Sequence, residues 1–389
     1  ACSSVRGCFN RKAFKAMTAR VFCCGDVGPL SLGDGTLAEP ITPFLKQADI
    51  RFAQCERMYS LQGRLASNSN ATHARCAPEL AQVFFDCGFD VVSLASNHTL
   101  NYGAKALADT INLFRSRGVQ TVGAGMNISE ARKPAFLEVA GQRIAFLAYA
   151  SVLREGFEAT KTSAGAAPLR VRTWHEEFDW QPGMPPLTRS EVWAEDLEEM
   201  CTDISAAKKQ ADHVIVSQHW GIHYIPRLIA EYQPPAARAA IAAGADAIIG
   251  SHAHAPKAIE IIDGKPCFYS LGNFMMSGVP KTGDKARLFE EQYGVKLDPS
   301  RPFLPYGQDA RRLVIAELNL SQGSIEAGLH LGEIGTDMKP RVFNRGAAFD
   351  EALQFLKFVS DGYGTVFRSL ENYIAVEQPR SISPLRTTN

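Results

Sequence analysis

Seven side chains suited to holding metal ions or moving protons stand in short clusters: Asp26 in Gly25-Asp26, Glu56 in Cys55-Glu56, Asn97 and His98 in Ser96-Asn97-His98, His219, and His252 with His254 in Ser251-His252-Ala253-His254. Each cluster follows a short apolar run of strand character. Five loops therefore deliver carboxylate, amide and imidazole groups to one sheet edge, where α/β proteins carry their functional loops. Oxygen and nitrogen donors without a thiolate suit Mn, Zn, Fe or Mg rather than a cysteine-built structural zinc site. In His252-x-His254, alternate residues of an extended segment project the same way, so one imidazole can serve each of two neighbouring cations. Cys23, Cys24 and Cys55 lie near these clusters, but a Cys–His nucleophile has no need of Asp26, Glu56 and Asn97 around it, which makes covalent catalysis the weaker reading. Gly250-Ser251 and Gly272 supply tight turns; no G-x-x-x-x-G-K-[ST] phosphate loop is present.

The elements that must position these groups follow one rhythm from Val21 to about Phe274: an apolar run, a small or polar cluster, then an amphipathic stretch, the pattern of strands alternating with helices in a layered α/β fold. Strands are expected at 20–24, 50–54, 91–94, 120–122, 135–139, 143–149, 213–217, 247–249, 257–262 and 266–270, with helices at 78–87, 104–117, 194–211 and 234–243. Residues 154–190 break the rhythm and read as a lid-like insertion, since loops this long rarely lack a purpose. Trp174, Trp180, Arg170 and Arg172 could line a substrate mouth there, although a lid packed on its own aromatics is the simpler reading. Beyond a Gly-, Pro- and Lys-rich linker at 277–285, paired antiparallel strands are expected at 313–320 and 324–332, and one or two helices over 350–373 with Asp350 as cap. His73, His175, His213 and His330 read as hydrogen-bonded structural residues.

At the chemical clusters the sequence resembles a known family. Gly25-Asp26-Val27, Cys55-Glu56, Ser93-Leu94-Ala95-Ser96-Asn97-His98 with Tyr102-Gly103, His219-Trp220-Gly221, Gly244-Ala245-Asp246 leading to Gly250-Ser251-His252-Ala253-His254, and Tyr269-Ser270-Leu271-Gly272-Asn273-Phe274 look like the ordered motifs of the poly-γ-glutamate capsule-synthesis (CapA-like) proteins, a branch of the calcineurin-like metallophosphoesterase superfamily. The resemblance implies a four-layer α/β/β/α sandwich over 20–276, two divalent metal ions at its loop edge, and a C-terminal α+β extension over 277–378 that packs on the core. It implies that Asp26, Glu56 and His254 hold one ion and that Glu56, Asn97, His219 and His252 hold the other, with Glu56 bridging. His98 would be the general acid that protonates a leaving group, or would polarise the scissile bond. His223, Tyr224, Asn273 and Tyr102 are candidates for substrate contact or for support of the ligands.

The departures from the family pattern bear on chemistry. Superfamily phosphoesterases usually place a His two residues after the first Asp; here Gly28 stands there, leaving one ion short of a ligand and more open to solvent or substrate. The usual Asn-Leu-Glu appears as Gln54-Cys55-Glu56, keeping the carboxylate. After His219-Trp220-Gly221 the family commonly has Glu then Tyr, whereas this chain has His223-Tyr224, a change that steers the site toward anionic substrates.

Length and composition set the outer bounds. The 389 residues suit two or three domains, or one large domain with an appendage, and 41 basic against 41 acidic residues argue against a nucleic-acid or polybasic membrane binder. Nine cysteines, odd in number and without a C-x-x-C pair, read as reduced thiols of a cytoplasmic protein. No apolar run reaches the roughly 18 residues of a membrane span, and the basic leader at 1–19 lacks the apolar core of a secretory signal. That leader reads as disordered or appended, and the 379–389 tail as frayed. The expectation is a soluble dinuclear-metal hydrolase that uses metal-bound hydroxide on a γ-glutamyl-type amide or a phosphoester. Its substrate is a small or oligomeric anion, and the C-terminal elements leave room for a homo-oligomer. The alternative is a non-catalytic capsule-assembly or polymer-binding protein.

Overall fold

A computed structural model describes residues 18–69, 75–179, 183–371 and 373–378. Most of the leader, the 379–389 tail, Cys2, Cys8, His73 and Trp180 lie outside the described residues. Two large sheets form the centre. In the first, Ala19–Gly28, Ile50–Cys55, Val91–Ser93 and Gln120–Val122 run parallel and adjacent. In the second, Gln142–Ala150, His213–His219, Ala247–Ser251 and Lys265–Phe268 do the same, with Ala135–Val139 and Ile259–Ile262 antiparallel at its edges. Strands covered on both faces read as continuous apolar runs, and alternate residues separate the two faces. Val21 and Cys23 join Phe52, Val91, Phe146, Ala148, Ile215 and Ile249 between the sheets. Phe52 and Phe146 stack across that seam, ring centroids 5.8 Å apart.

Phe22 and Cys24 point the other way, toward the helix Gly103–Ser116, whose buried Leu107, Ile111 and Phe114 recur at helical spacing. The outer face of the second sheet is covered likewise, Val214, Val216 and Ile248 meeting Met200 and Ile204 of the helix Ala194–Lys208 and Ala236, Ala237 and Ala240 of the helix Gln233–Ala242. Three separate apolar clusters thus define four layers, helix, sheet, sheet, helix. Among the described residues no helix is long and apolar enough to cross a membrane.

The C-terminal extension joins the sandwich edge to edge. Arg312–Ser321 pairs antiparallel with residues 19–23 of the first strand and is followed in the sheet by Ser324–Ile334, Ile374–Glu377 and Val366–Ser369. The remaining length of the first strand, residues 26–28, pairs in parallel with Asn273–Met276. Gly25 is needed at the changeover: a Cβ there would sit 1.9 Å from the Gly272 carbonyl oxygen, which accepts the Asp26 N–H at 2.9 Å.

Three stretches differ from the sequence reading. The helix over 350–373 is confined to Ala347–Val359, because Gly362 and Gly364 take positive φ (91° and 68°) and the chain beyond them returns as two edge strands. Asp350 lies in that helix's first turn, and Gly346 is the cap. The 277–285 linker runs into a helix, Asp284–Tyr293, which the sparse apolar periodicity there does not announce. Within 154–190, Val171–Glu176 and Leu187–Val192 form a hairpin tied by Arg189 to Glu231 at 2.8 Å. Arg170 is held by Asp196 at 2.6 Å and Trp193 lies against it, while Trp174 packs on Arg172, so both of these arginines are engaged within or beside the insertion. His213 and His330 are bonded structurally, to the Ser321 carbonyl (3.1 Å) and to Glu317 (2.6 Å).

Gly25→Ala is expected to lower the free energy of unfolding by at least about 2 kcal/mol, since the clash is with backbone and cannot be relieved by a rotamer change. Urea unfolding checks this; a loss below about 0.5 kcal/mol would contradict the close approach.

Candidate metal and proton-transfer site

The carboxyl ends of both parallel sets open on the same side. Asp26 lies at the end of the first strand, Glu56 follows Cys55, and Asn97 and His98 follow Val91–Ser93 by a short turn. From the second sheet, His219 is the last residue of its strand, and His252 and His254 follow Ala247–Ser251. All seven side chains predicted from the sequence therefore come together, from two sheets rather than one. His252 and His254 hold left-handed backbone angles (φ 88° and 55°), as does Tyr224 (φ 60°), a cost of about 1–3 kcal/mol each that the packing around the site sustains.

Glu56 and Asp26 are fully buried. Oε2 of Glu56 accepts the Ser96 hydroxyl at 3.0 Å and lies 3.5 Å from His219 Nε2; Oε1 has no hydrogen-bond partner and faces His98 Nε2 at 3.6 Å and His254 Nε2 at 4.0 Å. Asp26 receives only long bonds from the His252 N–H (3.3 and 3.5 Å) and lies 3.6 Å from His254 Nδ1. His219 Nε2 is 2.8 Å from Asn97 Oδ1 and 3.2 Å from His252 Nδ1. Glu56, His219 and His252 place donor atoms within 4.8 Å of one another, the span a single cation can bridge.

Supporting contacts orient the imidazoles. Ser251 Oγ lies 2.9 Å from His219 Nδ1. Asn273 accepts at 2.9 Å from His254 Nδ1 and donates to the carbonyls of His254 (3.1 Å) and Ala310 (3.0 Å), so it positions His254 and is spent within the protein. Asn101 Nδ2 lies 2.8 Å from His98 Nδ1, while its Oδ1 accepts the Ser69 hydroxyl at 3.2 Å, which fixes the amide orientation. Asn97 Nδ2 is farther from the other ring nitrogen, at 3.3 Å, so the shorter bond decides: Nδ1 accepts, and the proton of neutral His98 sits on Nε2, facing Glu56. His98 is the more exposed partner of that pair. Tyr102 lies against the Arg75 guanidinium, 4.2 Å from ring centre to carbon.

An aromatic wall completes the site. His223 packs 3.8 Å from His252 by ring centroid and stacks on Tyr224; Tyr306 stacks on His254 at 4.3 Å. Phe289 and Tyr293 close on Tyr224 at 5.1 and 4.7 Å. Asn101 stood one turn beyond His98, a spacing that could have flagged it. Tyr306, Phe289 and Tyr293 carry no such signal, because they come from 286–312, between the linker and the next expected strand, where the sequence announces no element.

Burial governs the electrostatics. It pushes the Asp26 carboxyl up to about 8 and raises Glu56 well above the carboxylate range, with Asp26 adding to the rise. Burial also holds His219 and His252 well below the usual imidazole value, His254 at about 3 and His223 at about 4. The ion-pair contacts of both carboxylates are with imidazoles alone, and burial keeps His219 and His254 among them from charging near pH 7. Two buried carboxyl groups with no ion pair to a lysine or arginine, one carrying an unpartnered oxygen, fit divalent metal binding.

The arrangement is thus a two-sheet sandwich bearing a buried carboxylate–imidazole centre at its loop edge. Residues 31–277, well over half of the chain, match the family described as bacterial capsule synthesis protein PGA_cap. The chain belongs to that family. Asp26 lies just ahead of the matched span. The PGA biosynthesis protein CapA of Bacillus subtilis is 31% identical over 275 residues, 70% of this chain and 64% of that one. The capsule biosynthesis protein CapA of Bacillus anthracis is 29% identical over 253 residues, 63% and 55% of the two chains. The chain therefore spans somewhat less than two thirds of the length of these relatives. A solved structure, the calcineurin-like phosphoesterase YfkN from Bacillus subtilis, overlays with 88% of this chain and 99% of that one at a TM-score of 0.40 and 13% identity; a likeness at that level bears on neither substrate nor activity.

The charge deficit has a measurable consequence. Raised carboxyl groups favour folding below their unfolded pKa near 4, and that contribution is lost as pH rises through the folded value near 8. The depressed imidazoles act oppositely, but only below about 6.5. Between pH 6.5 and 8.5 the depressed ammonium groups of Lys257 (about 7) and Lys281 (about 8) add an opposing rise, so the carboxyl share is read against Asp26→Asn. Relative to that variant, the Tm of chelator-treated wild type should fall across the window, and Mn or Zn should suppress the fall; no relative fall without metal would contradict the electrostatics.

Proposed function

We propose that the chain is a dinuclear-metal hydrolase acting on an amide, of γ-glutamyl type, or a phosphoester bond. The observation that carries this reading is the buried pair Asp26 and Glu56, with Glu56 Oε1 unpartnered among neutral imidazoles. Asp26, Glu56 and His254 would hold one divalent ion, and Glu56, Asn97, His219 and His252 the other. When bound, two such ions lower the pKa of a shared water and neutralise charge developing on the substrate. His98 presents its Nε2–H as a hydrogen-bond donor that polarises the scissile bond and stabilises charge on the leaving group, and Asn101 keeps that tautomer. Ser251 and Asn273 hold the ligand rings, and the wall formed by His223, Tyr224 and Tyr306 keeps water from the far side. Gly28 supplies no ligand, and the space its side chain would take is filled by Met276 and Arg57. A cytoplasmic setting accords with free thiols at Cys23, Cys24, Cys55, Cys76, Cys87, Cys201 and Cys267.

A second reading, in which the site binds metal or polymer without turnover during capsule assembly, is favoured by the biosynthetic names of the relatives.

Protein purified without chelator should carry about two equivalents of divalent metal by elemental analysis. His98→Ala should keep that metal while losing at least about 100-fold in kcat on a γ-glutamyl amide or phosphoester, whereas Asp26→Ala and His252→Ala should lose metal and turnover together. Metal loss in the His98 variant would make it a ligand. Metal bound but no turnover on either bond class would favour the assembly reading.

A further inference from the structure

Lys281 comes from the segment between the strand Asn273–Met276 and the helix Asp284–Tyr293, and it reaches the aromatic wall over the metal site. Its ammonium lies 4.4 Å from the Phe289 ring centroid and 5.4 Å from that of Tyr306, the ring stacked on His254. It donates one hydrogen bond, to the Pro305 carbonyl at 2.5 Å. Among the described residues it takes part in no ion pair, so a partly buried cation keeps two N–H donors unspent beside the centre.

A desolvated ammonium without a counter-ion is costly unless an anion completes it. Its neighbours are rings rather than carboxylates: Tyr306, Phe289, Tyr293 and Tyr224 form an apolar surface between it and the imidazoles. One positive charge with two free donors matches the two oxygens and single charge of a carboxylate, and the rings match the methylenes of a short aliphatic arm. The other nearby cations are engaged, Arg57 by the carbonyls of Gly28 (2.9 Å) and Ser277 (2.8 Å), and Lys257 by those of Ile225 and Leu228.

We propose that Lys281 is the specificity-determining residue of the site, receiving a carboxylate carried by the substrate on a short aliphatic arm that lies against Tyr306 and Phe289. This rests on the hydrolase reading for its location, but the recognition itself needs no turnover. Burial lowers the Lys281 ammonium to about 8, consistent with a cation awaiting a partner.

Calorimetry on the full chain as purified tests the proposal with glutarate and its neutral diamide, glutaramide, as probes. Lys281→Met should weaken glutarate binding by at least about tenfold and leave glutaramide within about twofold, whereas Lys281→Arg should stay within about threefold of wild type for glutarate. Thermal melts confirm that the variants are folded. Unchanged glutarate affinity in folded Lys281→Met, an equal loss for glutaramide, a loss in Lys281→Arg as large as in the Met variant, or no glutarate binding by wild type would overturn it. Because the readout is binding, a protein that hydrolyses nothing can still recognise the carboxylate, and one that hydrolyses can fail to.

Discussion

Two carboxylates are sealed at the meeting point of two sheets without a positive partner from the protein, and much of the surrounding structure answers to that deficit. Asp26 and Glu56 come from neighbouring strands of one sheet, and the imidazoles that face them come chiefly from the other. Burial drives protons onto the carboxylates and off the imidazoles, so without metal the site is driven toward neutrality, and divalent cations would relieve both strains. Arg57, the nearest arginine, is turned to the carbonyls of Gly28 and Ser277, so it only partly offsets the rise at Glu56 and forms no ion pair with it.

The fold holds this arrangement by close backbone contact and by tolerated strain. Gly25 lets the first strand pass against Gly272, which brings Asn273 under His254. Left-handed backbone at His252 and His254 turns both rings back toward the carboxylates directly after the second-sheet strand. The stacked pair Phe52 and Phe146 joins the two sheets farther down, so the two halves of the site rest on one shared core.

The ligand-type residues were legible because their chemistry is unusual and because each follows an apolar strand, a pattern that survives in one dimension. The doubly covered strands were legible for the same reason: burial on both faces leaves continuous apolar runs, as from Val21 to Cys24 and from Ile144 to Ala150. What escaped was set by tertiary contact. Asn101, Tyr306 and Lys281 matter through what they touch, and nothing in the spacing of 277–311 predicts that Tyr306 lies on His254. The strand Val366–Ser369 stands where helix is expected over 350–373, because short edge strands carry little periodicity, and the left-handed glycines before it are the stronger signal.

Everything in this account turns on whether the two carboxylates share cations. A crystal of the full chain grown with Mn, with anomalous data collected at the metal edge, reads that directly. Cation sharing predicts two anomalous peaks about 3.5–4 Å apart, both within bonding distance of Glu56, one beside Asp26 and His254 and the other beside His219 and His252. No peak at Glu56 under saturating Mn would contradict it.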